Sequence, residues 1–307
     1  MIVLLTLAHV MVVLTLPILL IGVVNRTKSW WAGRRGPRLL QSASDLWRLL
    51  GKRPVYSTVA GPLFRAGAYA VLASGLLAAM IAPVLGRFAP LQFEHDFIVF
   101  AYTLGLARIV LMMSAMDVGS SFEGMGAARE AAFSSYAEPA LFLLIGAASI
   151  ATGNTSFAGL IGQLHDSPHF VWLVVPAVVT LVVLLQTEAS RVPVDDPLTH
   201  LELTMVHEVM VLDHSGPELA AMQYAAALKL TLYAGLIAAL LNPLDPFTSP
   251  IACTALSLAL MAAVAVAVGC IESLMARLPL RWVPRYLLAA TAAALLCLAA
   301  VGWGAPW

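Results

Sequence analysis

Residues 1–24 read MIVLLTLAHVMVVLTLPILLIGVV, and this stretch contains no Asp, Glu, Lys or Arg. A helix crosses the hydrocarbon core of a bilayer with about 20 consecutive apolar residues, so the stretch is long enough to span a membrane. Further runs of comparable length and composition follow along the chain. The eight predicted spans are 1–24, 65–86, 96–116, 133–152, 168–187, 220–241, 251–272 and 285–303.

The composition of the 307 residues agrees with eight spans, because 61% are hydrophobic and only 11% are charged. A typical soluble domain is about 45–50% apolar and about 25% charged. These values exclude a disordered chain, a collagen, a disulfide scaffold and an ordinary soluble enzyme, and the continuous apolar runs exclude a porin-like barrel. The sequence therefore predicts an all-α integral membrane protein that forms a single polytopic domain over residues 1–307.

Lysine and arginine are distributed unevenly between the two sets of loops. Fourteen of the 17 fall in loops 25–65, 117–132, 188–219 and 273–285, whereas the loops on the opposite side contain only Arg87. Positively charged loops stay in the cytoplasm. We therefore expect the four basic loops to be cytoplasmic and both termini to be periplasmic.

The first cytoplasmic loop, 25–65, contains the segment GRRGPRLLQSASDLWRLLG. Apolar residues at near-helical spacing between Pro37 and Gly51 predict a short amphipathic helix at the membrane surface. Charged residues around this helix are candidates for docking a soluble partner: Arg34, Arg35, Arg38 and Asp45. The alternative is that the arginines only bind anionic lipid headgroups.

Several ionisable residues fall within or at the ends of predicted spans: Arg108, Glu138, Glu188, Lys229 and Glu272. A charge at the centre of a span costs about 2.5–3.5 kcal/mol, so such groups need partners and often mark an ion path. Arg108 lies too deep to reach the interface, and we expect it to have a buried carboxylate partner. Lys229 could instead extend its amine to the inner interface. Such a string of acids and bases is a candidate proton route.

Loop 188–219 is rich in acidic residues, and it is either a solvated face or the entrance to an acidic cavity. Glu188 and Arg191 are three residues apart, a spacing at which they could pair on a helix. Histidines recur at intervals of seven residues and would share a face only if one helix continued to Gly216. We therefore favour titrating or solvated histidines over a metal site at His200, His207 and His214.

Two long motifs in this chain are typical of a known family. They are GSSFEGMGAAREAAFSSYAEPALF at 119–142 and EASRVPVDDPLTHLELTMVHE at 188–208, and RRGP at 34–37 precedes them. The sequence resembles subunit 1 of respiratory complex I. It resembles even more the homologous membrane subunit of energy-converting [NiFe] hydrogenases, of the formate hydrogenlyase subunit 4 type.

The resemblance implies a coupling subunit that is not catalytic by itself and that lies in the cytoplasmic (inner) membrane of a bacterium or an archaeon. Such a subunit anchors a soluble arm to the membrane arm, and it links electron transfer in the soluble arm to proton translocation. It carries no cofactor of its own, because the [NiFe] centre and the iron–sulfur clusters belong to partner subunits. The implied partners are the lipid bilayer and other proteins, with no nucleic acid: soluble hydrogenase large and small subunits, an iron–sulfur protein and antiporter-like membrane subunits.

The resemblance also implies where the coupling route begins. The family's acid early in the fourth span matches Glu138, and its Glu and Arg after the fifth span match Glu188 and Arg191. We expect Arg108 and Lys229 to act as the basic partners of these acids.

Loop 188–219 matches the family at the acids that face the soluble arm, namely Asp195 and Glu202. Asp196 and Glu208 belong to the hydrogenase-type pattern. Complex I has a Glu-Tyr-Ser-Gly run where this chain has DHSG at 213–216, and this difference favours the hydrogenase branch over a quinone site.

Three other functions remain open from the sequence. The chain could be the quinone-site subunit of a complex I-type NADH dehydrogenase, a stand-alone secondary transporter, or a passive anchor with no ion path. Inverted-repeat transporters carry matching halves with interrupted helices, and no internal repeat is evident here. Buried ionisable residues argue against the passive anchor.

Overall fold

The computed structural model describes residues 1–167, 170–196 and 205–304. These residues form helices and loops, and no β-strand occurs among them. The helices are α1 (Ile2–Trp31), α2 (Gln41–Leu50), α3 (Pro62–Ile81), α4 (Asp96–Asp117), α5 (Ser121–Thr152), α6 (Phe157–Leu164), α7 (Phe170–Glu188), α8 (His207–Val211), α9 (Gly216–Leu241), α10 (Pro250–Leu274) and α11 (Val283–Gly304), with a short 3₁₀ turn at Leu280–Trp282.

Eight helical segments are long and apolar enough to cross a membrane: α1, α3, α4, α5, α7, α9, α10, and the 3₁₀ turn together with α11. The prediction of an all-α protein with eight spans is therefore confirmed. The periplasmic position of both termini stays a prediction.

Two spans are longer than the apolar runs that predicted them. Helix α1 continues to Trp31 instead of ending at residue 24, and α5 begins at Ser121 instead of residue 133. An apolar run measures only the part of a helix that lies in hydrocarbon, and a helix can continue beyond it into a polar region. As a result, most of the predicted loop 117–132 is helical, and Glu123 and Glu130 lie on α5.

Helix α9 lies at the centre of the bundle. Within its most apolar window, 83% of the residues are buried, against 28–50% for the other spans. It packs against α1, α3, α7 and α10. A helix that is apolar on all sides is typically buried in this way, so Lys229, the charged residue within the apolar part of α9, is held inside the protein.

The first loop contains the short helix α2. It begins at Gln41 and ends before Gly51, and none of its residues is fully buried. Trp47 is 78% exposed, as expected for a side chain that contacts lipid headgroups or another protein.

Candidate functional site

Arg108 lies near the middle of α4 and is 5% exposed. Its Nη1 donates a hydrogen bond to Glu138 on α5, and its Nη2 donates one to Glu188 at the end of α7. Its Nε lies 3.4 Å from Oε1 of Glu130, which precedes Glu138 on α5. Three carboxylates therefore surround one guanidinium, and the expected buried partner of Arg108 is present.

Lys229 on α9 completes this group, because its Nζ lies 3.4 Å from Oε2 of Glu188. The side chain is 9% exposed, so it points into the bundle and does not extend to the interface. We call Arg108, Glu130, Glu138, Glu188 and Lys229 the buried ion cluster. Its members come from four helices, α4, α5, α7 and α9.

The buried ion cluster reaches the side of the bundle at one residue. The side chain of Glu138 is 52% exposed, whereas that of Glu188 is 6% exposed. A lateral cavity of about 50 Å³ opens there between α4 and α5, lined by Glu138, Arg108 and Tyr233 among others. Most of its lining is apolar, but its volume is enough for a water molecule beside the charged groups of Glu138 and Arg108. The cluster is therefore accessible from the face of the bundle that carries Glu138.

At its other end, the cluster borders a narrow cavity of about 10 Å³ that is also lined by Asp195. Asp195 is 1% exposed and organises the loop after α7. Its Oδ2 accepts hydrogen bonds from the backbone N–H groups of Val206 and His207, at 3.2 and 2.9 Å, and its Oδ1 lies 2.9 Å from Nη2 of Arg277. Burial raises the pKa of Asp195, although these N–H groups and Arg277 oppose the shift. The described parts of the acidic loop on either side of 197–204 are thus held together at Asp195, beside the cluster.

The expected pair of Glu188 and Arg191 does not form, and the prediction was wrong. Nη1 of Arg191 lies 3.4 Å from Oε1 of Glu272 on α10, and Nζ of Lys28 on α1 lies 2.8 Å from the other oxygen of Glu272. Helix α7 ends at Glu188, so the helical spacing on which the prediction relied is not maintained. Arg191 therefore belongs to a second buried ion group, with Glu272 and Lys28.

A wide cavity of about 360 Å³ lies between α1, α2, α8, α9 and the turn after α7. Asp45, Arg191, His207 and Glu208 are among the residues that line it. Burial is the main cause that lowers the pKa of His207 to about 4, and the nearby Lys229 ammonium is the second. This imidazole is therefore neutral at pH 7. Asp45, predicted to dock a partner, faces this cavity.

The remaining predicted site residues that the structure describes lie in the loops after α1 and α7. Arg34, Arg35 and Arg38 are exposed, and Asp196 is half-buried and donates its backbone N–H to Oδ1 of Asp195 at 2.9 Å. Glu202, like His200, lies outside the described residues.

The remaining histidines of the acidic loop do not share one helix. Helix α8 covers only His207–Val211, and His214 lies in the loop before α9. Within the ranges that the structure describes, no three His, Cys, Asp or Glu residues are grouped closely enough to hold a metal ion.

Sequence reasoning missed Glu130, because it lay in a predicted loop. Its signal was the recurrence of Glu123, Glu130 and Glu138 at intervals of seven and eight residues, which places all three near one face of a continuous helix. It also missed Lys28 as the partner of Glu272.

A further set of hydrogen bonds links the loop before α3 to the first turn of α9. The hydroxyl of Tyr56 donates a hydrogen bond to Glu218 at 2.6 Å, and the backbone N–H of Val55 donates one to Ser215 Oγ at 2.8 Å. The other oxygen of Glu218 lies 3.4 Å from Nδ1 of His214, whose ring stacks on Phe64 at 3.9 Å between centroids. Burial lowers the pKa of His214, although Glu218 opposes the shift.

An eight-span helical bundle with a buried, multi-helix ion cluster defines a class of protein. It is a polytopic membrane protein that holds ionisable groups inside the bundle of its spanning helices.

Comparison with known proteins places the chain within that class. The model of the NADH dehydrogenase family matches residues 3–303, so the chain belongs to this family, which includes subunit 1 of complex I. It is 28% identical over 275 residues to formate hydrogenlyase subunit 4 of Escherichia coli (strain K12), covering 87% of this chain and 88% of that protein. It is also 28% identical over 237 residues to hydrogenase-4 component C of the same organism, covering 77% and 74%.

The fold is also found in a solved structure, that of the membrane-bound sulfane sulfur reductase, an archaeal respiratory membrane complex. The TM-score is 0.81 with 18% sequence identity, over 96% of this chain and 98% of the matching chain. The family resemblance predicted from the two long motifs is therefore confirmed. This chain is a multi-span membrane protein of the NADH dehydrogenase family, related to formate hydrogenlyase subunit 4.

Proposed function

We propose that the chain is the membrane-anchor and coupling subunit of a complex I-like energy-converting hydrogenase in the cytoplasmic membrane. It would dock the soluble arm and link electron transfer there to proton translocation. One observation carries this proposal: the buried ion cluster borders Asp195, which organises the acidic loop, and also reaches the side of the bundle at Glu138.

The loop end of the bundle has the surface that a soluble partner requires. Arg34, Arg35 and Arg38 are exposed in loop 25–65, and apolar side chains of the same loop are also exposed, with Val55 at 74% and Val59 at 68%. Exposed apolar groups on loops favour a protein interface over a purely solvated face. The partners that fit are the large and small hydrogenase subunits and an iron–sulfur protein, which would carry the [NiFe] and iron–sulfur centres.

The lateral face suits a different partner. A half-exposed carboxylate at membrane depth is unfavourable against lipid, so Glu138 fits a neighbouring protein that supplies polar groups. An antiporter-like membrane subunit at this face would continue the path from Glu138.

Coupling then follows from electrostatics. A redox change in the docked arm shifts charge or conformation at the acidic loop, and Asp195 transmits the shift to the adjoining cluster. Because Glu188 lies between Arg108 and Lys229, a small displacement of either cation changes its affinity for a proton. The arm can move protons only if the two redox states hold the cluster differently.

Glu188→Gln and Glu138→Gln test the coupling role in the assembled complex. Each removes one protonatable oxygen and keeps the shape of the side chain, so we expect assembly and electron transfer to continue while proton pumping in sealed vesicles is lost. Glu94→Gln, at an exposed position away from the cluster, is the control and should pump normally. Normal pumping by both cluster variants would overturn the assignment.

Affinity purification of the chain from its own membranes tests the anchoring role. We expect nickel–iron and iron–sulfur subunits to co-purify in fixed proportion. A chain that purifies alone from mildly solubilised membranes would refute this part of the proposal.

The wide cavity favours a second candidate, the quinone-site subunit of a complex I-type NADH dehydrogenase. Its volume of about 360 Å³ falls in the range of about 300–1,000 Å³ that holds small-molecule ligands. Quinone-analogue inhibitors separate the two candidates. They leave hydrogen turnover unchanged if the chain serves a hydrogenase, and they stop electron transfer if it holds a quinone.

A further inference from the structure

The turn that follows α7 contains a residue with an unusual backbone. Ser190 has a φ of 51°, in the left-handed region, although it is not a glycine. Two hydrogen bonds close the turn, from the N–H of Ser190 to the carbonyl of Thr187 at 3.2 Å and from the N–H of Arg191 to the carbonyl of Gln186 at 2.7 Å. A non-glycine residue adopts this conformation only where its surroundings hold it there, because it is roughly tenfold less populated than a right-handed one.

This turn separates two charged residues that a continuous helix would bring together. Glu188, on one side of Ser190, contacts Arg108 and Lys229 in the buried ion cluster. Arg191, on the other side, contacts Glu272 in the second buried ion group. All of these contacts are made by side chains that are less than one tenth exposed. The left-handed residue therefore decides which buried partners each of its two neighbours meets.

Ser190 also lies between two cavities. It lines the narrow cavity beside Arg108, Glu130 and Asp195, and it lines the wide cavity between α1, α2 and α9. Residues 188–191 are thus part of the wall between the wide cavity and the buried ion cluster. A change of backbone at Ser190 would move Glu188 and Arg191 and would alter this wall in the same step.

We propose that Ser190 is a positioning residue whose left-handed conformation keeps Glu188 in the buried ion cluster and Arg191 in the second ion group. This role deepens the proposed coupling function, and the measurement of proton pumping used to test it rests on that function. It requires a residue that tolerates positive φ and does not require the hydroxyl group itself.

Three variants of the intact complex separate backbone conformation from side-chain bulk. Ser190→Gly and Ser190→Asn both tolerate the left-handed region, whereas Ser190→Val strongly disfavours it because its side chain is β-branched. Asparagine is the control for bulk, since it is also larger than serine. Hydrogen–deuterium exchange of the peptide 186–192 reports the turn directly, and pumping in sealed vesicles reports coupling.

In Ser190→Val we expect exchange at the amides of residues 190 and 191 to rise about tenfold, the population difference given above, and pumping to fall with it. Ser190→Gly and Ser190→Asn should keep both values within about twofold of the unsubstituted protein. Unchanged exchange in Ser190→Val would overturn the inference, as would equal losses in Ser190→Asn and Ser190→Val.

The outcomes also distinguish this inference from the proposed function. If Ser190→Val opens the turn and still pumps, while Glu188→Gln does not pump, the positioning role is refuted and the coupling function stands. If Glu188→Gln itself pumps normally, the coupling function is refuted, and the exchange of the turn still decides whether Ser190 positions its neighbours.

Discussion

Replacing Arg108 with methionine removes the positive charge around which the buried ion cluster is built. In Arg108→Met the side chain keeps its apolar stem, but Glu130, Glu138 and Glu188 lose the cation they share. Lys229 remains beside Glu188, at 3.4 Å. The variant therefore isolates the electrostatic role of Arg108 from its packing.

The expected loss of stability follows from the charges that remain. A carboxyl group with an ordinary pKa of about 4.3 needs about 3.7 kcal/mol to take up a proton at pH 7, since one pH unit is worth about 1.36 kcal/mol. Removing one partner of a buried ion pair, with the other partner left charged, costs about 3–5 kcal/mol. Protonating a carboxyl group at pH 7 therefore costs about as much as leaving it charged and unpaired. We expect the folded variant to bind a proton, which relieves the repulsion between the carboxylates. We expect its free energy of unfolding to fall by about 4 kcal/mol at pH 7.

The pH dependence distinguishes this mechanism from a packing defect. The folded variant holds a proton that the unfolded chain does not bind until the pH approaches about 4.3. Its stability relative to the parent therefore rises as the pH falls, by about 1.4 kcal/mol for each unit between pH 7 and pH 5. A cavity left by poor packing would give a deficit that does not change with pH.

Unfolding of the detergent-solubilised complex, followed at several pH values, measures this difference. Arg281→Met is the matched control, because Arg281 is exposed and lies outside the cluster, and it should change stability by less than about 0.5 kcal/mol. A loss below about 1 kcal/mol in Arg108→Met, or a loss that stays constant from pH 7 to pH 5, would show that Arg108 does not compensate these carboxylates.

Three further predictions test the surroundings of the cluster. Asp195→Asn weakens the charge-assisted bonds that hold the acidic loop, each worth about 1.5–3 kcal/mol, so hydrogen exchange at residues 205–208 should rise at least tenfold. Since the folded pKa of His207, about 4, lies below its ordinary value, its contribution to stability is present at pH 7 and is lost as the pH falls from 6.5 toward 4; thermal unfolding of His207→Gln should lack this pH dependence. Gly126→Ala places a Cβ 2.3 Å from Cγ1 of Val209 and should lower thermal stability by about 1–3 kcal/mol, whereas Gly146→Ala on the same helix meets nothing within 4 Å and should not.

The number of spans could be predicted because a bilayer imposes a simple rule on sequence. Hydrocarbon accepts only long apolar runs, and each run in this chain became one helix. The ends of the helices obey a different rule. Outside the hydrocarbon, polar residues can continue a helix, so α5 begins at Ser121 and brings Glu130 to the side of Arg108. Glu130 was not predicted as a site residue because the start of the apolar run was taken as the start of the helix.

The sequence predicts that a buried charge has a partner of opposite sign, but it does not identify which residue that partner is. Arg108 needed a carboxylate because an unpaired cation at membrane depth is costly. Its partner Glu188 lies 80 residues along the chain, and only the packing of α4 against α5 and of α5 against α7 brings the groups together. The one pairing predicted from local spacing, Glu188 with Arg191, failed because Ser190 turns the chain out of the helix.

The net charge of the buried ion cluster bears directly on the proposed coupling role. Among the described residues, Glu130, Glu138 and Glu188 are matched only by Arg108 and Lys229, which leaves one carboxylate in excess. An uncompensated charge at this depth costs about 2.5–3.5 kcal/mol, close to the cost of protonating an ordinary carboxyl at pH 7. In the proposed function, a proton or a cationic group of a neighbouring subunit would compensate this excess charge. A redox-linked change at Asp195, or at a subunit beside Glu138, would then decide whether the proton is held, which is what a coupling site requires.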